Sequence, residues 1–305
     1  MSFETGTCRI CGGTLRGGRR TREGGQYLTC AGCGTEHRVE DPAADAGGTT
    51  SFERSQEKYH RGTTVYDLPL VGEIGVRVGA ERAEVFAHWV PEGSRVLEVG
   101  PGSGFFLEAL KAKGYDGEAV EESQDFARAI IDRLAIPVHV GVLEDTFFPE
   151  SYAGVASFHV IEHVTEPLKH LTTLAGVTTQ GGHLLLATPN ARSFQHRLLG
   201  RLSPTYSEAH LVLLTPAGIK TALESSGWQV LQLTTTEAPE SLLRGVSAIL
   251  KALSRRPTGF AMAGSLKQTS SSRVIRLFGA VSRPLRWVLV RAGLGNELMV
   301  VARRV

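Results

Sequence analysis

Val96-Leu-Glu-Val-Gly-Pro-Gly-Ser-Gly104 is the stretch of this 305-residue chain that decides its fold. An apolar run typical of a strand ends in an acidic residue, and glycines then alternate up to a predicted helix at residues 105–113. A strand that turns into a helix at glycines lets backbone N–H groups approach a ligand at the positive end of the helix dipole. The third glycine comes one position too early for the dinucleotide fingerprint G-x-G-x-x-G, and no Gly-Lys-Ser/Thr of a Walker loop follows. The spacing therefore indicates a nucleotide-type pocket of another kind.

The pattern Glu98-x-Gly100-x-Gly102-x-Gly104 resembles the first motif of class I S-adenosylmethionine-dependent methyltransferases. That resemblance implies an α/β, Rossmann-like sheet of seven strands in the order 3-2-1-4-5-7-6, with these four residues at the cofactor. A Rossmann-type sheet also requires an acidic residue about 20 positions after the glycines, which binds the ribose hydroxyls. Glu121 ends the predicted second strand and lies at this distance from the glycines. We therefore assign Glu121 to the ribose.

The third and fourth predicted strands add further candidate cofactor residues. The third strand, residues 137–142, precedes the turn at which the family binds adenine, so the resemblance assigns Leu143 and Glu144 to the adenine. The fourth strand, residues 155–160, contains Phe158, which we also assign to the cofactor.

A histidine-rich segment begins at the carboxyl end of the fourth strand. It reads His159-x-x-Glu162-His163, and together with His210 downstream it resembles the ubiquinone-biosynthesis O-methyltransferases and many sugar and natural-product methyltransferases. The ubiquinone enzymes have a Glu-x-x-Glu-His cluster that can hold a divalent ion, whereas the first position here is a histidine. Metal assistance is therefore not implied by the resemblance.

Methyl transfer from a sulfonium requires an aligned nucleophile, exclusion of water and, for a hydroxyl acceptor, a base. Histidine is the usual base because its pKa lies near neutrality. The carboxyl end of a central strand is also where open α/β sheets bind ligands. We predict that His163 is the base, and that His159 and His210 line the acceptor pocket.

All four cysteines lie near the amino terminus, as Cys8-x-x-Cys11 and Cys30-x-x-Cys33. Two such pairs, 18 residues apart, predict a tetrahedral zinc site. Two disulfides are the alternative, which an intracellular context disfavours. Four thiolates leave no open coordination position, so the zinc is expected to be structural. His37 is expected to be an ordinary surface residue.

Charge is distributed unevenly along the chain. Residues 240–305 contain 12 Lys/Arg and 2 Asp/Glu, whereas the rest of the chain contains 21 Lys/Arg and 29 Asp/Glu. In this segment an apolar stripe at helical spacing, with arginines opposite, is formed by Val274, Leu277, Phe278, Val281, Leu285, Val288 and Leu289. The stripe has three interpretations: a lid over the pocket or a homodimer contact, an anionic membrane surface, and, least favoured, nucleic-acid binding.

These observations divide the chain into five predicted segments. They are a zinc ribbon (1–40), a linker and helical cap (41–90), the cofactor-binding core (91–236), a basic helical insert (237–293) and the last core strand (294–305). Hydrophobic residues make up 42% and charged residues 21%, as in ordinary soluble proteins, and no apolar run reaches the roughly 18 residues of a membrane span. We expect a cytoplasmic protein. The basic insert suggests an alternative, in which the protein lies peripherally on the inner face of the membrane.

The expected activity is O-methylation of a small molecule: a sugar, a natural product or a lipid-linked compound, in natural-product or polysaccharide biosynthesis. One alternative is C-methylation of a sugar. The other is methylation of an rRNA base, because one group of rRNA enzymes also begins with a zinc knuckle. The acidic body argues against RNA, which binds basic surfaces. Thr188-Pro-Asn190 also differs from the Asn/Asp-Pro-Pro-aromatic loop that stacks an exocyclic amine.

Overall fold

The structure, a computed structural model, describes residues 6–21, 25–39, 69–207, 209–243, 245 and 272–305. The predicted linker with the first part of the cap (41–68) and the middle of the insert (246–271) lie outside the described residues. The described helices are α1 (Pro69–Ala87), α2 (Phe105–Ala112), α3 (Gln124–Leu134), α4 (Pro167–Val177), α5 (Phe194–Leu199), α6 (Pro216–Glu224) and α7 (Ser272–Arg291). The described strands are β1 (Leu15–Arg20), β2 (Gln26–Cys30), β3 (Glu36–Val39), β4 (Arg95–Val99), β5 (Asp116–Glu121), β6 (Val138–Val140), β7 (Tyr152–Phe158), β8 (Thr178–Pro189), β9 (Val212–Leu213), β10 (Trp228–Thr236) and β11 (Glu297–Arg304).

Seven strands form the central sheet in the order β10-β11-β8-β7-β4-β5-β6. Strands β6, β5, β4, β7 and β8 are parallel, whereas β11 is antiparallel to both of its neighbours. Numbered as core strands, this is the order 3-2-1-4-5-7-6, so the predicted fold class is confirmed. The order reverses at β4, and the carboxyl ends of β4, β5 and β7 therefore surround the crevice in which such sheets bind ligands.

The amino-terminal strands form a second sheet in the order β1-β2-β3-β9. Its fourth strand, β9, comes from the core and pairs antiparallel with β3, so that Glu36 lies opposite Leu213 and His37 opposite Val212. Strand β9 has only two residues, which is too short to show a period in the sequence. The amino-terminal unit is thus joined to the core by backbone hydrogen bonds.

Helix α1 packs closely on the start of α2, where the glycine-rich loop ends. A Cβ atom added to Gly79 would lie 2.6 Å from the carbonyl oxygen of Phe105, and one added to Gly75 would overlap the Phe105 ring. The two glycines, one turn apart, therefore let the backbones approach closely. This contact positions the described part of the cap beside the glycine-rich loop.

Helix α7 is the longest described part of the basic insert, and it does not turn its whole apolar stripe inward. In the structure Leu289 is buried and Phe278 is half-buried. The exposed members of the stripe are Leu277, Val281, Leu285 and Val288. No helix in the described ranges is both long enough and apolar enough to cross a bilayer.

Candidate active site

The glycine-rich loop between β4 and α2 has a backbone that only glycine adopts easily. Gly100, Gly102 and Gly104 have φ angles of 68°, 51° and 70°, in the left-handed region that disfavours L side chains. A Cβ atom on Gly100 would lie 2.5 Å from Cγ2 of Val160. The loop therefore needs glycine at Gly100 for two independent reasons, its φ angle and its contact with the segment after β7.

Two carboxylates flank this loop. Glu98 is buried on β4, and within the described part of the chain its Oε2 atom has no hydrogen-bond partner. Burial, reinforced by the nearby charge of Glu121 and opposed by Arg82, raises the pKa of Glu98 to about 8. Glu121 accepts hydrogen bonds from the backbone N–H of Gly102 at 3.0 Å and of Ser123 at 2.9 Å. Glu121 thus connects the glycine-rich loop to the start of α3.

A cavity of about 580 Å³ opens at the carboxyl ends of β4, β5 and β7. Of the residues predicted from sequence, its wall includes Gly100, Glu121, Leu143, Glu144, His159 and His163. Its volume is within the range of small-molecule sites. The structure therefore brings the predicted ribose and adenine residues together with two of the three candidate histidines.

The remaining predicted residues lie outside this wall. Glu98, Gly102 and Gly104 belong to or precede the loop, and His210 stands behind His163, with ring centroids 4.9 Å apart. Phe158 packs into the core, edge-on to Phe106 at 4.9 Å and 4.2 Å beneath the guanidinium of Arg82. Its side chain therefore supports the site from the core and does not line the cavity.

Glu144 has a partner that the sequence did not predict. Its carboxylate accepts a hydrogen bond from Nδ1 of the buried His170 at 2.7 Å, and this bond lowers the pKa of Glu144. His170 also lines the cavity. The adenine end of the cavity therefore has a fixed carboxylate–imidazole pair.

His159 follows β7 directly and has a φ of 57°, unusual for a residue with a side chain. Its Nδ1 lies 3.1 Å from Oε1 of Glu162, and its Nε2 lies 2.7 Å from Oε1 of Glu297. Burial lowers the pKa of His159, but the hydrogen bonds and charges of the two carboxylates outweigh it and raise the pKa to about 9. His159 is therefore an imidazolium at neutral pH and has no lone pair with which to accept a proton.

Glu162 is the buried carboxylate around which the histidines gather. It bonds to His159 through Oε1, and its Oε2 accepts a hydrogen bond from the hydroxyl of Thr188, with 3.0 Å between the two oxygen atoms. Burial raises the pKa of Glu162, but the hydrogen bond and charge of His159 dominate and lower it to about 2. Its backbone oxygen also accepts from the N–H of Leu211 at 2.7 Å. Glu162 is thus ionised and fixes the segment that follows His210.

Hydrogen bonds to backbone carbonyls determine the tautomers of His163 and His210. His163 donates from Nδ1 to the carbonyl of Ala209 at 2.8 Å, and His210 donates from Nδ1 to that of Thr205 at 2.7 Å. In the neutral form each ring therefore has its lone pair on Nε2. Burial lowers the pKa of His210 to about 4, so this ring stays neutral. Of the three candidate histidines, only His163 both lines the cavity and is free to accept a proton on Nε2.

Donor atoms of Glu162, His163 and His210 all lie within 4.8 Å of one another. One carboxylate and two imidazoles form a donor set that divalent transition metals bind. This set differs from the His159-x-x-Glu162-His163 motif because His210 is included and His159 is excluded. His159 is instead held by the two carboxylates described above.

The four cysteines form a cluster whose Sγ atoms all lie within 4.8 Å of one another. The Sγ atoms of Cys8 and Cys33 are 3.7 Å apart, and those of Cys11 and Cys30 are 3.4 Å apart. A tetrahedron of sulfur atoms about 2.3 Å from a central zinc ion has edges of about 3.8 Å, whereas a disulfide needs about 2.05 Å. All four are free cysteines, so the donor set and spacing fit zinc.

The expectation that His37 is a surface residue was wrong. His37 is buried, and its Nε2 lies 3.2 Å from Sγ of Cys8. The pairing of β3 with β9 covers this side of the ribbon, which the sequence could not indicate. His37 is therefore placed to hydrogen-bond a thiolate of the cluster.

The ribbon also contacts the segment that carries His210. The hydroxyl of Tyr27 donates to the carbonyls of Ser207, at 3.0 Å, and His210, at 2.8 Å. The hydroxyl of Thr215 donates to the carbonyl of Cys33 at 2.6 Å. The ribbon is thus bonded to both sides of β9, close to the candidate histidines.

A family model described as "Methyltransferase domain" matches residues 77–233. The ubiquinone biosynthesis O-methyltransferase of Xanthomonas axonopodis pv. citri is 24% identical over 160 residues, which are 48% of this chain and 67% of that protein. The enzyme of the same name from Aliivibrio fischeri strain MJ11 is 24% identical over 151 residues, 45% of this chain and 64% of that protein. The matched region thus spans about two thirds of these relatives.

Solved structures show the same fold. A SAM-dependent methyltransferase from Archaeoglobus fulgidus superimposes with a TM-score of 0.50 at 18% identity, covering 83% of this chain and 100% of the other. A structure described as a putative sarcosine dimethylglycine methyltransferase from Galdieria sulphuraria also superimposes with a TM-score of 0.50, at 17% identity. The match covers 76% of this chain and 87% of the other.

Proposed function

The chain belongs to the family of methyltransferase domains, and from this premise we propose that it transfers the methyl group of S-adenosylmethionine to an oxygen atom of a small molecule. The proposed acceptor is a sugar, a natural product or a lipid-linked compound that carries a hydroxyl group. The observation that carries the proposal is the position of His163 and the hydrogen bond of its Nδ1. It lines the cavity, and its Nδ1–H is engaged by Ala209, which leaves Nε2 to accept the acceptor's proton.

The residues around the cavity fit S-adenosylmethionine. The left-handed glycines leave the loop backbone beside the cavity without side chains, as a cofactor cradle requires, and the carboxylate of Glu121 lies next to it for the ribose hydroxyls. Leu143 offers an apolar surface and Glu144 a carboxylate at the opposite end, where we place the adenine. When bound, S-adenosylmethionine supplies an electrophilic methyl group on a sulfonium.

The protein's part in the reaction is to orient the acceptor and to remove its proton. His163 would accept that proton on Nε2, which converts it to an imidazolium. The adjacent Glu162 is ionised, and its carboxylate belongs to the same cluster of side chains as His163. His159, already cationic, has both N–H groups engaged by Glu162 and Glu297 and would act on the acceptor through its charge. The Nδ1 bond to Ala209 keeps the His163 ring in one orientation during the transfer.

We further propose that the cysteine cluster holds one structural zinc ion. The proposal is supported by the Sγ separations of 3.4 and 3.7 Å and by the four free thiols. A site made of four thiolates is closed, so this zinc would stabilise the ribbon without taking part in methyl transfer.

The acceptor class is tested with methyl-labelled S-adenosylmethionine. The full-length protein is incubated with total RNA, or with small-molecule and lipid extracts of the cells that make it. We expect the label in the small-molecule or lipid fraction. Label in RNA would contradict the proposal and favour base methylation. Treating the product with hydriodic acid separates the remaining alternatives, because it releases an O-methyl group as methyl iodide and leaves a C-methyl group in place.

Substituting Gly100 tests the cofactor cradle against a matched control. Gly93 also has a left-handed φ, of 78°, but no atom lies within 4 Å of a Cβ added there. We expect Gly93→Ala and Gly100→Ala each to lower the free energy of unfolding by about 1–2 kcal/mol through the left-handed backbone. Only Gly100→Ala should weaken S-adenosylmethionine binding, by about tenfold or more, because its Cβ displaces Val160 at the cavity wall. Isothermal titration calorimetry measures this, and equal affinities in the two variants would contradict the assignment.

A further inference from the structure

Helix α7 presents an apolar stripe to the outside of the described structure. The side chains of Leu277, Val281, Leu285 and Val288 are 67%, 73%, 51% and 53% exposed. They follow one another at intervals of four, four and three residues, so they lie on one face of the helix over three turns. A helix on a globular core normally turns such a face inward.

The inward face of α7 is partly polar. Arg286 donates to the carbonyl of Glu237 at 3.0 Å and to that of Gly279 at 3.0 Å, and its Nε lies 3.3 Å from the hydroxyl of Ser282. Ser282 and Leu289 are buried on the same side. These contacts fix the rotation of the helix, so the outward position of the apolar stripe follows from how α7 is anchored.

Cationic side chains and a tryptophan accompany the stripe. Residues 272–291 contain five arginines and no acidic residue. Arg283 is exposed, and Trp287, 58% exposed, has the guanidinium of Arg291 4.6 Å from its ring centroid. An aliphatic stripe on a helix that also carries exposed Arg and Trp residues is typical of helices that lie in the interface of a bilayer.

We propose that α7 binds the surface of an anionic lipid bilayer, with the apolar stripe among the acyl chains and the exposed Arg283 and Arg291 at the headgroups. Charge complementarity selects this occupant. A second copy docked on the same face would place one arginine-rich helix against another. The chain's own residues 246–271 contain four basic and no acidic residues, so covering the stripe with them would also bring like charges together. Nucleic acid would satisfy the arginines but would leave four aliphatic side chains in contact with a phosphate backbone.

The test is co-sedimentation of the full-length protein with vesicles. We expect binding to vesicles of phosphatidylcholine with phosphatidylglycerol, and much weaker binding to phosphatidylcholine alone. Raising the salt concentration should weaken binding, because the headgroup attraction is screened. Equal amounts of protein sedimenting with both kinds of vesicle, or no protein sedimenting with either, would overturn the proposal.

Point variants locate the contact. Val281→Asp with Leu285→Asp should lower the partition coefficient by at least about tenfold, and Arg283→Glu by about fivefold or more. The matched control is Phe147→Asp, which replaces another exposed apolar residue outside α7 and should bind as the wild type does. Vesicle binding that survives in the Asp variant would overturn the proposal. A concentration-dependent dimer that this variant abolishes, without vesicle binding by the wild type, would instead assign the stripe to a second copy and would overturn it too.

Fluorescence provides a readout that is independent of any effect of the Asp substitutions on folding. Trp287 is exposed, whereas Trp228 is buried in the core. The wild-type emission should shift to shorter wavelength when anionic vesicles are added, and Trp287→Phe should lose most of this shift while still binding. An unchanged wild-type spectrum with saturating vesicles would contradict insertion of this face. The experiments need no methyl acceptor, so their outcome is separate from that of the proposed function.

Discussion

Replacing His163 with alanine is expected to lower kcat by about 10²- to 10⁴-fold, the usual contribution of a general base, while S-adenosylmethionine binds as before. The reason is that neither neighbouring histidine can take its place. His159 is held as an imidazolium by Glu162 and Glu297, and burial lowers the pKa of His210 to about 4, which makes it a weak base. The measurement is single-turnover methyl transfer to the acceptor identified by the labelling experiment, with cofactor affinity determined in parallel.

The matched control is His88→Ala. His88 follows α1 and contacts Trp89 away from the cavity wall, so this variant loses a histidine without altering the site. It should turn over as the wild type does. Normal turnover in both His163→Ala and His159→Ala, with intact cofactor binding, would contradict the proposed roles of the two histidines. Loss of wild-type activity on mild chelation, with the ribbon zinc retained, would contradict the base mechanism and assign Glu162, His163 and His210 to a metal ion.

The residues assigned to the cofactor, which form the cofactor half of the candidate site, are encoded locally. The glycine-rich loop and Glu121 are recognised by short spacings, whereas the strand order was implied by the family resemblance. The acceptor half depends on contacts between distant parts of the chain. Glu297 reaches His159 across 138 positions, and Tyr27 reaches the carbonyl of His210 across 183. A single sequence gives no signal for either pair.

Two further differences between the sequence-based expectations and the structure also arise from contacts between distant parts of the chain. The burial of His37 depends on strand β9, a two-residue strand more than 170 positions later, which is too short to show a period in the sequence. The outward stripe of α7 depends on Arg286, whose hydrogen bonds to Glu237 and Gly279 determine which face turns inward. Amphipathic spacing predicted the helix correctly. It could not tell which face the protein would cover, because that depends on the partners of a single charged residue.

Replacing Cys30 with serine is expected to remove the zinc and to destabilise far more than the ribbon alone. Structural zinc contributes about 10–16 kcal/mol of apparent binding free energy in small zinc-binding peptides at neutral pH, and this energy is coupled to folding. Cys30 ends β2, and the same strand carries Tyr27, whose hydroxyl holds the carbonyls of Ser207 and His210. Losing the ribbon should therefore release the segment that positions His210 as well as strand β9.

Elemental analysis should find about one zinc per wild-type chain and almost none in Cys30→Ser. Thermal unfolding should begin at a lower temperature in this variant, and a strong chelator should produce the same shift in the wild type. Tyr27→Phe separates the metal from the contact it supports, because it removes only the hydroxyl. It should keep its zinc and lose about 1 kcal/mol of stability. A Cys30→Ser chain that still binds one zinc would contradict the four-cysteine site. A zinc-free chain that unfolds as the wild type does would show instead that the ribbon is held by β9 and Tyr27 without the metal.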